Sequence, residues 1–237
     1  MKKKLIFIPA LLCDERLFSY QVSFLENFFE VDVFIPKKFD DISVCVDFFI
    51  EKYKNFEKIN ICGVSMGGYI AMEILKQQSD IVDKVCFIGT SYLEDAVEKK
   101  EARIRSIENV NKDGFHLVTE NMIKNSIIFN SENKILVDLI KDMANNIGID
   151  GFVNQQKLIL SRKNSKNLFK NMLNPCLLIV GKNDLITTVD LFMEMFDVLK
   201  TSNAKKFCKL KIIEECGHLP VIEKPKEINE ILKEFFL

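Results

Sequence analysis

Ile59-Asn60-Ile61-Cys62-Gly63-Val64-Ser65-Met66-Gly67-Gly68 is an apolar run that ends in Gly-x-Ser-x-Gly-Gly and passes directly into Tyr69-Ile70-Ala71-Met72-Glu73-Ile74-Leu75. The first half has the unbroken apolar character of a buried strand, and the second half has helical spacing. A serine on so tight a strand-to-helix turn is held with its hydroxyl at the sheet edge, the arrangement of a nucleophile elbow. Glycine suits positions 63 and 67, because a Cβ two residues either side of the serine would collide with the crossing strand or helix. A helix starting at Met66 also aims unpaired backbone N–H groups, and the positive end of its dipole, at charge developing beside Ser65.

A serine hydroxyl is a poor nucleophile at neutral pH, so Ser65 needs a base, and the base needs an orienting acid. The chain contains 2 histidines. His218 follows the strand-like Leu210-Lys211-Ile212-Ile213 in the loop Glu214-Glu215-Cys216-Gly217-His218-Leu219-Pro220, where Gly217 permits a sharp turn. His116, in Asp113-Gly114-Phe115-His116-Leu117-Val118, reads as a helix-surface or cap-lining side chain. His218 is therefore the base candidate. For the acid, Cys176-Leu177-Leu178-Ile179-Val180-Gly181-Lys182-Asn183-Asp184 carries a continuous apolar strand into a loop ending in a carboxylate. Asp190 and Asp197 fall in the helical pattern that follows, where a solvated face explains them. The order Ser65, Asp184, His218 is a serine–acid–histidine order.

Strand-like and helix-like segments alternate at both ends of the chain. Strands are expected at Leu5–Ile8, Val31–Ile35, Ile59–Val64, Val85–Ile88, Cys176–Val180 and Lys209–Ile213. Helices are expected at Phe18–Phe29, Ser43–Lys54, after Ser65, at Val189–Leu199 and from Pro225, a good first-turn residue. Alternation with Val/Ile/Leu/Phe strands predicts a mostly parallel, doubly wound α/β sheet with helices on both faces. Between Tyr92 and Ser165 the strands stop. Amphipathic helices are expected there at Glu94–Val110, Phe115–Lys124, Glu132–Ile147 and Gly151–Arg162, with Ser131 and Asp150 as N-caps. The expected organisation is a core of residues 1–91 and 166–237, with a helical lid of residues 92–165 over the carboxyl ends of the strands.

Composition narrows the setting. With 33 Lys+Arg against 34 Asp+Glu, the net charge of −1 argues against nucleic acid or an anionic membrane as a partner. The 7 cysteines show no CxxC pair or regular spacing, which predicts buried free thiols in a reducing compartment and no metal site. The basic start Met1-Lys2-Lys3-Lys4 precedes an apolar run that is short, contains Pro9 and meets Asp14-Glu15-Arg16 at once, so it reads as a first strand, not a leader. No segment approaches a membrane span. A cytoplasmic location is expected.

Gly63-Val64-Ser65-Met66-Gly67-Gly68, Gly181-Lys182-Asn183-Asp184 and Cys216-Gly217-His218-Leu219-Pro220 together resemble the α/β-hydrolase superfamily. The similarity spans essentially the whole chain, and a serine nucleophile sets it apart from the haloalkane dehalogenase and epoxide hydrolase branches. Two departures stand out. Members often carry His-Gly after the first strand, where this chain has Pro9-Ala10, and often a proline soon after the acid, where it has Leu185-Ile186-Thr187-Thr188.

The resemblance implies a serine hydrolase of carboxylic esters or thioesters, with a small-molecule or acyl-chain substrate and no cofactor or metal. The backbone N–H groups of Leu11 and Met66 would form the oxyanion hole. Similar sequences include carbon–carbon bond hydrolases, peptidases, acyltransferases and the methyl-esterase that acts on a pimeloyl chain linked to acyl carrier protein in biotin synthesis. That acidic partner would want a basic docking face. Residues 92–165 balance acid and base, with Lys99, Lys100, Arg103 and Arg105 as a local basic cluster. A reading from another class is a hydrolase-fold protein that binds a small molecule without turning it over.

Overall fold

The structure is a computed structural model that describes residues 2–110, 112–128 and 133–237. Six strands, β1 (Lys4–Ile8), β2 (Glu30–Val33), β3 (Ile59–Val64), β4 (Val82–Ile88), β5 (Cys176–Gly181) and β6 (Cys208–Ile213), form one sheet in the order β2-β1-β3-β4-β5-β6. Every adjacent pair is parallel. Parallel pairing requires a crossover after each strand, and the helices of those crossovers cover both faces.

Side-chain alternation sorts the core into two layers. Ile6 and Ile8 of β1 pack on one face with Phe49, Ile70 and Phe192, from helices α2 (Ile42–Tyr53), α3 (Met66–Gln78) and α8 (Val189–Leu199). Leu5 and Phe7 pack on the other with Leu25 and Leu232, from α1 (Ser19–Leu25) and α10 (Pro225–Phe236). Local chemistry starts several of these helices. The Asp41 carboxylate accepts the Ser43 and Val44 N–H groups at the head of α2, and Pro225 occupies the first turn of α10.

The β4–β5 connection holds α4 (Val97–Glu108), α5 (Lys112–Ser126), α6 (Lys134–Ser161) and the short α7 (Lys166–Lys170). Several expected boundaries move. The segment expected as one helix over Phe18–Phe29 is a 3-10 turn at Glu15–Phe18 followed by the seven residues of α1. The helix expected from Glu94 begins at Val97, because the Asp95 side chain is drawn into buried ion pairs with Arg103 and Arg162. The last two helices of the insertion follow one another in α6 across a kink at Gly148, where φ is 72°, inside the break expected between Ile147 and Gly151. Asp150 therefore lies inside helical backbone and is not the cap, while Ser131 lies outside the described residues.

Strand order places the site. The chain runs from β1 outward to β2 and returns to the other side of β1 as β3, so a crevice opens between the carboxyl ends of β1 and β3. Register sharpens the effect. Ile8 lies beside Gly63, so the loop after β1 and the turn after β3 emerge side by side. No helix among the described residues is long and apolar enough to cross a membrane. All 7 cysteines are free, and all but Cys208 are buried.

Candidate active site

Ser65 joins β3 to α3 at φ 52° and ψ −109°, a conformation that costs a non-glycine residue about 1–3 kcal/mol. The neighbouring chain holds it there. Its N–H donates to the Ile88 carbonyl at 2.8 Å, and its carbonyl accepts the Gly68 N–H at 2.9 Å and the Thr90 hydroxyl at 2.8 Å. The packing leaves no room for a side chain on either flank. A Cβ on Gly67 would stand 2.0 Å from the Ile8 carbonyl oxygen, and one on Gly63 would stand 2.5 Å from the Gly67 oxygen.

The loops after β5 and β6 are laced together. Lys182 N–H donates to the Ile213 carbonyl at 2.8 Å, and Asn183 N–H to the Cys216 carbonyl at 2.8 Å. That lacing brings Asp184, from the β5 loop, against His218, from the β6 loop. Asp184 Oδ2 lies 2.8 Å from His218 Nδ1. Both side chains are buried. Asp184 also accepts the Ile186 and Thr187 N–H groups on Oδ1, at 2.8 and 2.9 Å, and the Thr187 hydroxyl on Oδ2 at 2.7 Å. Burial pushes the Asp184 carboxyl up, but the hydrogen bond and charge of His218, with the Thr187 donors, outweigh it and hold it below its ordinary value. An ionised Asp184 can only accept, so Nδ1 carries the proton and Nε2 is left as a lone-pair acceptor.

The histidine loop is braced from two sides. His218 N–H donates to the Ser126 carbonyl of α5 at 2.9 Å. The Glu223 carboxylate, on the short helix α9 (Pro220–Glu223), accepts the Gly217 N–H at 3.0 Å and the Leu219 N–H at 3.3 Å.

Ser65 and His218 line one cavity of about 180 Å³. Ala10, Leu11 and Cys13, from the loop after β1, form another part of its wall, and α4, α5 and α6 contribute Lys99, Arg103, Met122 and Ile159. Met66 is buried at the first position of α3, where an N–H has no carbonyl partner within the helix. Cys13 is no rival nucleophile, because burial and the nearby Asp14 push its thiol up to about 12.

His116 and the two remaining helical acids stay outside the cavity. The His116 side chain is 67% exposed on α5 and lies 3.4 Å from Glu120. Asp190 is exposed, and Asp197 pairs with Lys200 at 2.7 Å. Sequence reasoning missed Thr90, Thr187, Glu223 and Gln155. Only Thr187 carried a local signal, since Asp-x-x-Thr at a strand end can close a turn on its own carboxylate. Gln155, fully buried on α6, accepts the Leu12 N–H at 2.9 Å across 143 positions of sequence. No group of three His, Cys, Asp or Glu side chains among the described residues is arranged to hold a metal ion.

The sequence matches no protein-family model and no curated protein. Solved structures do match. A thermophilic esterase from Thermogutta terrifontis superposes with a TM-score of 0.88 at 21% identity, over 99% of this chain and 89% of that one. The enol-lactonase of Burkholderia xenovorans LB400 gives 0.85 at 16% identity, over 99% and 91%. An alpha/beta hydrolase enzyme from a Medee basin deep-sea metagenome library gives 0.78 at 15% identity, over 99% and 89%. The chain has the α/β-hydrolase fold.

Proposed function

We propose that this α/β-hydrolase-fold chain is a serine hydrolase that cleaves carboxylic ester or thioester bonds through an acyl-enzyme intermediate. The observation that carries the reading is the 2.8 Å hydrogen bond from His218 Nδ1 to Asp184, set behind a cavity that Ser65 also lines. With Nδ1 protonated, His218 Nε2 takes the Ser65 proton as the hydroxyl oxygen attacks the acyl carbonyl. The C–O or C–S bond to the leaving group then breaks, and His218 returns the proton to that group. Water, deprotonated by the same imidazole, attacks the acyl-serine carbonyl, and the acid leaves as Ser65 regains its proton.

Asp184 fixes the histidine tautomer and balances the imidazolium charge. The Leu11 and Met66 N–H groups stabilise the oxyanion, a role in which one donor contributes about 10²–10³ in rate. Residues 92–165 act as the lid, and residues 1–91 and 166–237 as the core that carries the chemistry. Closing such a lid excludes water and strengthens every charge interaction inside. The esterase neighbours add support for a hydrolase, within the limit that one fold hosts many chemistries.

Turnover of a short p-nitrophenyl ester by Ser65→Ala, with labelling by a fluorophosphonate, tests the reading. Loss of at least about 10³-fold in kcat and of labelling, in a variant that still folds, is expected. Retained turnover removes Ser65 from the mechanism. A wild-type protein that neither labels nor hydrolyses is a binding protein.

A further inference from the structure

One part of the cavity wall is basic. Lys99 and Arg103, four residues apart on the same face of α4, line it together with Ser65 and His218, and no Asp or Glu is among the described residues that do. The carboxylate beside these cations is Asp95, which is 5% exposed and already committed. Its Oδ2 accepts Arg103 Nε at 2.6 Å and Arg162 Nη1 at 3.1 Å, while its Oδ1 accepts Arg162 Nη2 at 2.8 Å and lies 3.8 Å from Lys99 Nζ. One carboxylate therefore faces three cations.

The next anion along the chain, Glu94, is held by Lys100 at 2.6 Å, and the remaining named partners are neutral. Gln156 offers Arg103 Nη1 only an amide oxygen, at 2.6 Å, and Arg162 stacks its guanidinium 4.1 Å above the Tyr69 ring. Positive charge held away from water without an equal number of anions is unfavourable. Arg103 and Arg162 are the buried cations, and the half-exposed Lys99 ammonium feels the same excess. Burial pushes it down from its ordinary value, Asp95 pulls it up, and Arg103 and Arg162 push it down further. A negative group entering the cavity would relieve that imbalance. A carboxylate suits it, since its planar pair of oxygens matches the guanidinium fork and a cavity of about 180 Å³ has room for a short chain.

We infer that Lys99 and Arg103 form a subsite for a carboxylate at the far end of the substrate, so that the preferred substrates are half-esters of short dicarboxylic acids. The inference deepens the proposed hydrolase reading and rests on it for turnover, though not for binding.

The test compares mono-p-nitrophenyl glutarate with p-nitrophenyl butyrate, alongside calorimetric binding of glutarate and of inorganic phosphate. Wild-type protein is expected to favour the anionic ester in kcat/KM by about tenfold or more, and rising salt should erode the preference. In Arg103→Gln and in Lys99→Gln that ratio is expected to fall about tenfold. Should Arg103→Gln misfold, since it strips a partner from buried Asp95, Lys99→Gln, at a side chain that is 51% exposed, carries the test. Equal turnover of both esters, with no change of ratio in either variant, overturns the subsite and leaves the hydrolase standing. Glutarate binding that both variants weaken, in a protein that hydrolyses neither ester, supports the subsite and overturns the hydrolase. Binding of phosphate in preference to glutarate overturns the carboxylate assignment.

Discussion

Gln155 of α6 accepts the Leu12 backbone N–H at 2.9 Å, tying the helical insertion to the loop that follows the first strand. Leu12 sits at φ 60°, a left-handed conformation that costs a branched residue roughly 1–2 kcal/mol. The buried amide oxygen offsets that cost and holds the loop in which Leu11 precedes it. If Leu11 N–H is an oxyanion donor, the helical insertion sets the position of a catalytic group as well as lining the cavity.

Gln155→Leu should therefore act mainly on turnover. The loop relaxes, the Leu11 donor shifts, and kcat is expected to fall about 10- to 100-fold with a smaller change in KM. Steady-state kinetics on a short p-nitrophenyl ester decides the point. An unchanged kcat would mean that this tie does not hold the loop in its working pose.

Asp184→Asn retains the shape of the side chain and removes its charge. An amide can donate to Nδ1, which favours the tautomer with its proton on Nε2, where Ser65 needs an acceptor. A loss of about 10³- to 10⁴-fold in kcat is expected, with the fold intact by circular dichroism. Full activity in this variant would exclude Asp184 as the orienting acid.

Gly67→Ala tests the packing of the elbow. The added methyl would fall 2.0 Å from the Ile8 carbonyl oxygen, and backbone on both sides leaves nothing flexible to yield. A stability loss of more than about 3 kcal/mol in urea unfolding, or failure to fold, is expected. A loss below about 1 kcal/mol would mean that α3 can slide away from β1.

Acid stability should bear the mark of Asp95. Burial pushes its carboxyl up, but hydrogen bonds and charges from Arg162 and Arg103 outweigh it and hold it at about 2. A carboxyl lowered on folding binds fewer protons in the native state than in the unfolded chain. Its contribution, on the order of 2 kcal/mol, is full above about pH 4 and is lost as pH falls toward 2. Urea midpoints measured between pH 5 and pH 2.5 should fall, and Asp95→Asn should flatten part of that slope. An identical slope in the variant would assign the acid sensitivity to other carboxylates, Asp184 among them.

The elements with strong local patterns could be read before any coordinates. Ile59–Val64 and Val189–Leu199 have the expected bounds because each is bracketed by its own signals, the glycine turn in one case and the Thr188 cap in the other. The parallel sheet followed from the alternation of apolar strands with amphipathic helices, and the serine, acid and histidine candidates followed from glycine loops at strand ends. Boundaries failed where a distant partner outweighed local propensity, as when Asp95 left the expected helix to pair with two arginines.

Composition and periodicity are properties of neighbours in the chain, and they were enough for fold class and for naming Ser65, Asp184 and His218 as candidates. Strand order, the lacing of the two loops that sets Asp184 on His218, the Gln155 tie to Leu12 and the cation-rich wall at Lys99 and Arg103 all depend on residues far apart in sequence. No local pattern encodes such contacts. They arise when burying both faces of the sheet forces particular loops to one edge, where each buried polar group must find its partner across space.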